Sequence, residues 1–201
     1  MNAPMSVVSQ RVNGGPAIRS YLLDPTHPGD IALGSGRIER DEDYAMVVKN
    51  TIVTCADAIF LAKGRDGKIE KKFYLARRAV EPMKGLWVFG GRLAFNITSP
   101  QEGLARVIKR ETKLDISPER FEFHSVHMYT WAKVAQGDFP GRNLALNHLC
   151  VLTQEEIDAI VLDKEYEPDS FRGYARDEIA DEIERRGSHA MLLDLFDQIH
   201  G

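Results

Sequence analysis

No stretch of this chain stays apolar for the roughly 18 residues that a membrane-spanning helix needs, so no transmembrane anchor and no membrane partner are expected. The N-terminus also lacks a signal-peptide pattern. Cysteine is scarce. The two present, Cys55 and Cys150, each fall in an apolar, strand-like segment, which argues against a disulfide framework. Free buried thiols in a reducing, cytoplasmic setting are the expectation. Neither sign of charge dominates: a net charge of −4 gives no general attraction to nucleic acid or to an acidic membrane. Internal repeats and low-complexity tracts are missing as well. What is there is a 43% hydrophobic chain of 201 residues, enough for one domain of moderate size with its own core.

Residues 1–40 sustain no helical or strand period and are interrupted by NGGP, DPTHPGD and LGSG. An irregular N-terminal extension is predicted there, ahead of a domain over 41–201. The run from Asp41 toward Asn50 opens that domain as a short helix. Ile52 to Ala62 then reads as a β-branched, apolar strand with one acid inside it, Asp57, which simple alternation would turn to solvent. A hairpin connection over 63–68, holding Asp66-Gly67, leads to a strand from Ile69 to Ala76 with Arg77 and Arg78 at its end.

The most informative stretch is Gly85 to Ile116. It reads as a strand from Leu86 to Phe89, a double-glycine turn at Gly90-Gly91, a loop and a helix. Ser99 is the expected N-cap, Pro100 suits the first helical position, and Glu102 completes a Ser-x-x-Glu capping box. Leu104, Val107, Ile108 and Leu114 form the apolar stripe, and Glu111 falls on it. An inward carboxylate needs a cationic partner, either Arg92 beside the glycines or a bound metal.

Strand, Gly-Gly, loop and helix together resemble the Nudix box, whose helix carries an Arg-Glu-U-x-Glu-Glu-x-Gly-U run with U a bulky aliphatic residue. Arg106 takes the box arginine, Ile108 and Leu114 the aliphatic positions, and Glu111 the last glutamate. Thr98, Val107 and Arg110 stand where the ordinary box has glutamates, and Lys113 replaces its glycine. This depleted box resembles the GDP-mannose mannosyl hydrolase branch, which keeps Gly-Gly-Arg and the final glutamate. The resemblance implies an α+β Nudix fold, a mixed sheet between helices, and a Mg2+ or Mn2+ ion held by the Gly90 carbonyl, Glu111 and Glu167. It places Asp57 in the active site and gives Arg78 and Arg92 to the diphosphate, as catalytic and substrate-binding groups. It also sets His127 and Tyr129 in the substrate pocket and suggests a homodimer.

Pro168 falls where that branch has its basic histidine, so a proton acceptor must come from elsewhere. Asp57, His127 and Asp169 are the candidates. His127 is preferred, because an imidazole titrates near neutral pH while a carboxylate beside Arg78 should shift downward. His124 and His127 lie three apart, so in a plain strand they face opposite ways and hold no metal together. Residues 132–143 form a loop longer than the branch's own, and His148 reads as structural. The implied activity is hydrolysis of a nucleoside-diphosphate sugar at its anomeric carbon. Two rivals stand beside it: a non-hydrolysing nucleotide-sugar binding or regulatory domain, favoured by Pro168 and the basic helix, and a pyrophosphatase, for which carboxylates are few.

Overall fold

The computed structural model describes residues 6–9, 19–22, 41–80, 84–94, 97, 99–131, 141–186 and 188–201. The readings placed on the rest of residues 1–40, on Thr98, on 132–140 and on Gly187 lie outside these. Within the stretch expected to be irregular, β1 (Ser6–Ser9) and β2 (Arg19–Leu22) pair antiparallel as a separate ribbon. Four residues per strand are too few for an alternating pattern to show in sequence.

Helix α1 (Asp41–Asn50) leads into β3 (Ile52–Ala62), the strand on which the domain is built. From Cys55 onward every residue of β3 is buried. Its side chains divide by alternation. Val53, Cys55, Ile59 and Leu61 join one apolar cluster, whereas Ala56, Ala58 and Phe60 join the other. On one edge β3 runs parallel to β8 (Gly141–Leu152), which in turn pairs antiparallel with the outer strand β7 (Glu122–Trp131). On its other edge β3 meets two strands. Phe60 pairs with Tyr74 of β4 (Phe73–Arg78), and Cys55 to Ala58 pair with β6 (Phe89–Arg92). Two short strands, β5 (Gly85–Trp87) and β9 (Arg172–Tyr174), continue the sheet beyond β4.

Two sequence expectations change here. The strand expected from Ile69 starts only at Phe73; before it Ile69 bridges Lys63 alone, and the charged run Glu70-Lys71-Lys72 stays out of the ladder. The expected strand and double-glycine turn are instead two strands that part at Val88, with Gly90 and Gly91 inside β6 opposite Asp57 and Ala56. The glycines serve close approach of two backbones, not reversal of the chain.

Helix α2 (Pro100–Thr112) covers one face through Leu104 and Ile108. Helices α4 (Arg176–Arg186) and α5 (Met191–His200) cover the other through Ile179, Leu192, Leu195 and Phe196. A short helix, α3 (Gln154–Ala159), follows β8 behind a complete capping box at Thr153. At the start of α2 the Ser99 hydroxyl accepts the Glu102 N–H at 3.1 Å, as the capping pattern predicts. Arg106, matched to the box arginine, pairs with Glu102 on the helix surface. The helix ends at Lys113, whose φ of 63° is left-handed and favours glycine. Lys113→Gly is therefore expected to stabilise the fold by about 0.5–1 kcal/mol, read as a higher denaturant midpoint at unchanged slope.

Candidate functional site

Where β4 ends and β6 turns to follow β3, a cavity of about 210 Å3 opens against the last turn of α2. It draws on both sides of the sheet: Cys55, Asp57, Trp87 and Tyr129 line it together with Arg110 and Glu111 of α2. The volume is below the ~300–1,000 Å3 of a site for a whole drug-sized ligand, and suits the charged portion of one.

Asp57 lies at the back, only 5% exposed, opposite Gly90 in the β3–β6 ladder. Burial, and then the neighbouring Glu111 carboxylate, push its acid up to about 7 against the pull of Arg78. This overturns two readings. Asp57 does not face solvent, because β3 is covered on both faces. Nor does Arg78 hold it low, because desolvation and a second carboxylate outweigh one guanidinium.

Glu111 is buried on the apolar stripe of α2, as its spacing predicts. The partners described for it were not foreseen. Arg110 Nη2 donates to Oε1 at 2.8 Å, and the Tyr166 hydroxyl donates to Oε2 at 2.7 Å. Burial raises the Glu111 acid, opposed by these two hydrogen bonds.

Arginines ring the same space. Arg78, Arg92 and Arg110 all line the cavity. Arg78 sits 3.2 Å from Glu165 and over the Tyr166 ring, and its Nε is buried without a hydrogen-bond partner among the described residues. Its neighbour Arg77 is used differently, in a two-pronged bond to Glu182 of α4 at 2.6 and 3.1 Å.

Tyr129 lines the cavity, and burial raises its phenol. Its hydroxyl donates to Asn147 Oδ1 at 3.4 Å, and the Asn147 amide donates to His127 Nδ1 at 2.8 Å. His127 itself does not line the cavity but sits one inward position along β7. With Nδ1 accepting from the Asn147 amide, the neutral ring carries its proton on Nε2. A bulge at His124, between Phe123 and Ser125, breaks the alternation counted from sequence; burial and then the nearby His127 lower the His124 pKa. His148 is fully buried, with Nδ1 on the Leu146 carbonyl at 2.8 Å and its pKa pushed down to about 4, as a structural histidine.

The segment after α3 departs most from expectation. Glu165 lines the cavity and Glu167 does not; the Glu167 backbone is instead bonded to the Arg77 carbonyl and the Ser170 hydroxyl. Pro168 and Asp169 are exposed, with Asp169 at a left-handed φ of 58°. Among the described residues no three His, Cys, Asp or Glu side chains converge as a metal site requires. Arg110, Tyr166 and Glu165 were missed as site residues. Arg110 carried a signal, since it is a cation at a carboxylate position. Tyr166 and Glu165, in an acidic Glu-Tyr-Glu run, carried none.

No family model matches the sequence, and no curated protein matches it. Solved structures do match. The NUDIX domain of Shewanella oneidensis NrtR complexed with ADP ribose aligns at a TM-score of 0.53 and 10% identity, over 81% of this chain and 99% of that one. The C. elegans Ap4A hydrolase binary complex gives 0.52 and 15%, over 74% of this chain and 95% of that one. A Francisella tularensis bifunctional NMN adenylyltransferase/ADP ribose pyrophosphatase, complexed with AMP and a Mn ion, gives 0.52 and 12% over 80% of this chain. This chain spans only 45% of that protein. The likeness is one of architecture: the chain has the Nudix fold.

Proposed function

We propose that this Nudix-fold chain is a hydrolase of nucleoside-diphosphate sugars, acting at the anomeric carbon. The observation that carries the reading is one cavity in which Arg78, Arg92 and Arg110 surround a buried carboxylic acid poised near neutral pH. The three guanidinium groups suit a diphosphate and the negative charge that grows as it leaves. Asp57 replaces His127 as the base. Water attacks C1 of the sugar, Asp57 takes its proton, the C1–O bond breaks, and the pair of electrons departs on the nucleoside diphosphate. Since the base must be ionised, turnover rises with pH through about 7. Tyr129 walls the sugar side, and His127 offers its Nε2–H to a sugar hydroxyl.

The Mg2+ or Mn2+ that the box resemblance implies does not fit this donor set. Glu111 already accepts from Arg110 and Tyr166, Glu165 is held by Arg78, and Glu167 lies outside the cavity.

A screen of nucleoside-diphosphate sugars with product analysis tests the reading. Free sugar plus nucleoside diphosphate is expected. Sugar phosphate plus nucleoside monophosphate would mean a pyrophosphatase, and binding without turnover would mean a nucleotide-sugar binding domain, the reading that exposed Pro168 favours. Arg78→Ala and Arg92→Ala should each weaken nucleoside diphosphate binding by roughly 2–3 kcal/mol in calorimetry. Wild-type affinity in both variants would remove them from the site.

A further inference from the structure

We infer that Arg110 takes the place of a divalent cation, so that this cavity binds the diphosphate of a nucleotide without any metal. The inference rests on the nucleotide reading above and concerns how the charge is met. Position 110 belongs to a turn of α2 whose resemblance to the Nudix box calls for a carboxylate, and here a cation stands there instead. Its side chain is 62% exposed, yet the guanidinium turns inward rather than trailing into solvent. One nitrogen, Nη2, lies 2.8 Å from Glu111 Oε1 and 3.8 Å from the point where a Gly91 Cβ would stand. The cationic head thus fills the space between the last box glutamate and the glycine strand. That is where the box resemblance would set an ion, between Glu111 and the Gly90 carbonyl.

Three further observations agree. Tyr166 closes the second oxygen of Glu111 at 2.7 Å, so both carboxylate oxygens already meet protein donors. A divalent ion entering here would have to displace the Arg110 guanidinium from Glu111, since the two cations compete for the same carboxylate oxygen. Finally, the fork of Arg110 spends one N–H on Glu111 and keeps donors for phosphate oxygens, while buried Arg78 Nε is a donor that no described residue satisfies. Donors left over in a cavity lined by three arginines mark where an anion's oxygens belong. In this arrangement Glu111 orients the guanidinium instead of ligating a metal.

The test is calorimetric binding of GDP and ADP to the full chain, in EDTA and again in excess Mg2+, with wild type, Arg110→Ala and Arg110→Glu. Wild type is expected to bind at least one of them in EDTA with an affinity within about threefold of that in Mg2+. Arg110→Ala should lose about tenfold or more in EDTA. Arg110→Glu, which restores the missing carboxylate, should lose binding in EDTA and recover it on addition of Mg2+. Circular dichroism and melting confirm that the variants are folded, and the wild-type comparison stands without them. Wild-type binding that appears only with Mg2+ would overturn this inference and leave the nucleotide reading intact. Binding of neither nucleotide under either condition would overturn both.

Discussion

Asp57→Asn is expected to make the protein more stable and, as an enzyme, nearly inert. The ordinary aspartate titrates near 3.8, and burial beside Glu111 pushes Asp57 up to about 7. The folded state therefore favours the protonated acid. Its contribution is complete below about pH 4, declines as pH rises toward 7, and is lost above that. Asparagine imitates the neutral acid at every pH. The variant should match wild type near pH 4 and exceed it by on the order of 4 kcal/mol at pH 8, measured by denaturant unfolding across pH. With the proposed proton acceptor gone, kcat should fall by roughly 10²–10⁴-fold. Equal pH dependence of stability in the two proteins would mean that Asp57 is ionised as easily folded as unfolded. Full activity in the variant would take Asp57 out of the chemistry. His127→Asn, by contrast, should raise KM and leave the acidic limb of the kcat profile in place.

The second large effect separates two glycines that look equivalent in sequence. A Cβ on Gly90 would stand 2.2 Å from Asp57 Oδ1, 2.5 Å from the Ala56 carbonyl oxygen and 2.7 Å from Asp57 Cα. Two of those neighbours are backbone of the central strand and have nowhere to go. Gly90→Ala must then pry β6 from β3 and displace Asp57, costing about 3 kcal/mol or more and losing the cavity. A Cβ on Gly91 would meet Val107 and Arg110 side chains at 3.7 and 3.8 Å, ordinary contact distances. Gly91→Ala should fold with a loss within about 1 kcal/mol. A pair of melting curves decides it: equal midpoints for the two variants would contradict the account.

What the sequence revealed follows the range of the interactions. The N-cap and stripe of α2 are local chemistry, a hydroxyl and an amide three residues apart, and Ser99 and inward Glu111 stand where spacing put them. Alternation misled at Asp57, because a strand covered on both faces has no solvent side to offer. It misled again at His124, where a bulge shifts the count by one. The double glycine reads equally well as a turn or as a strand in close contact, and only the partner strand decides. Resemblance brought Asp57, Arg78, Arg92, Gly90 and Tyr129 to one cavity, but it set Glu167 where Glu165 stands. The company of Glu111 was the hardest part to foresee. Tyr166 reaches it from 55 residues away, and nothing short of the folded chain brings them together.

The parallel ladder of β3 and β8, from Ile52 beside Arg142 to Ala62 beside Leu152, also dictates a timetable. Each rung joins residues 90 positions apart in the chain, and loop closure over that span precedes any reward from pairing. Until β8 emerges, the most apolar strand of the domain has one edge bare. A ribosome-bound or truncated chain ending before Gly141 would present that edge to its neighbours, a template for association. The floor of the cavity is thus among the last parts of the molecule to exist, since Asp57 gains its companion Asn147 only when the ladder zips shut.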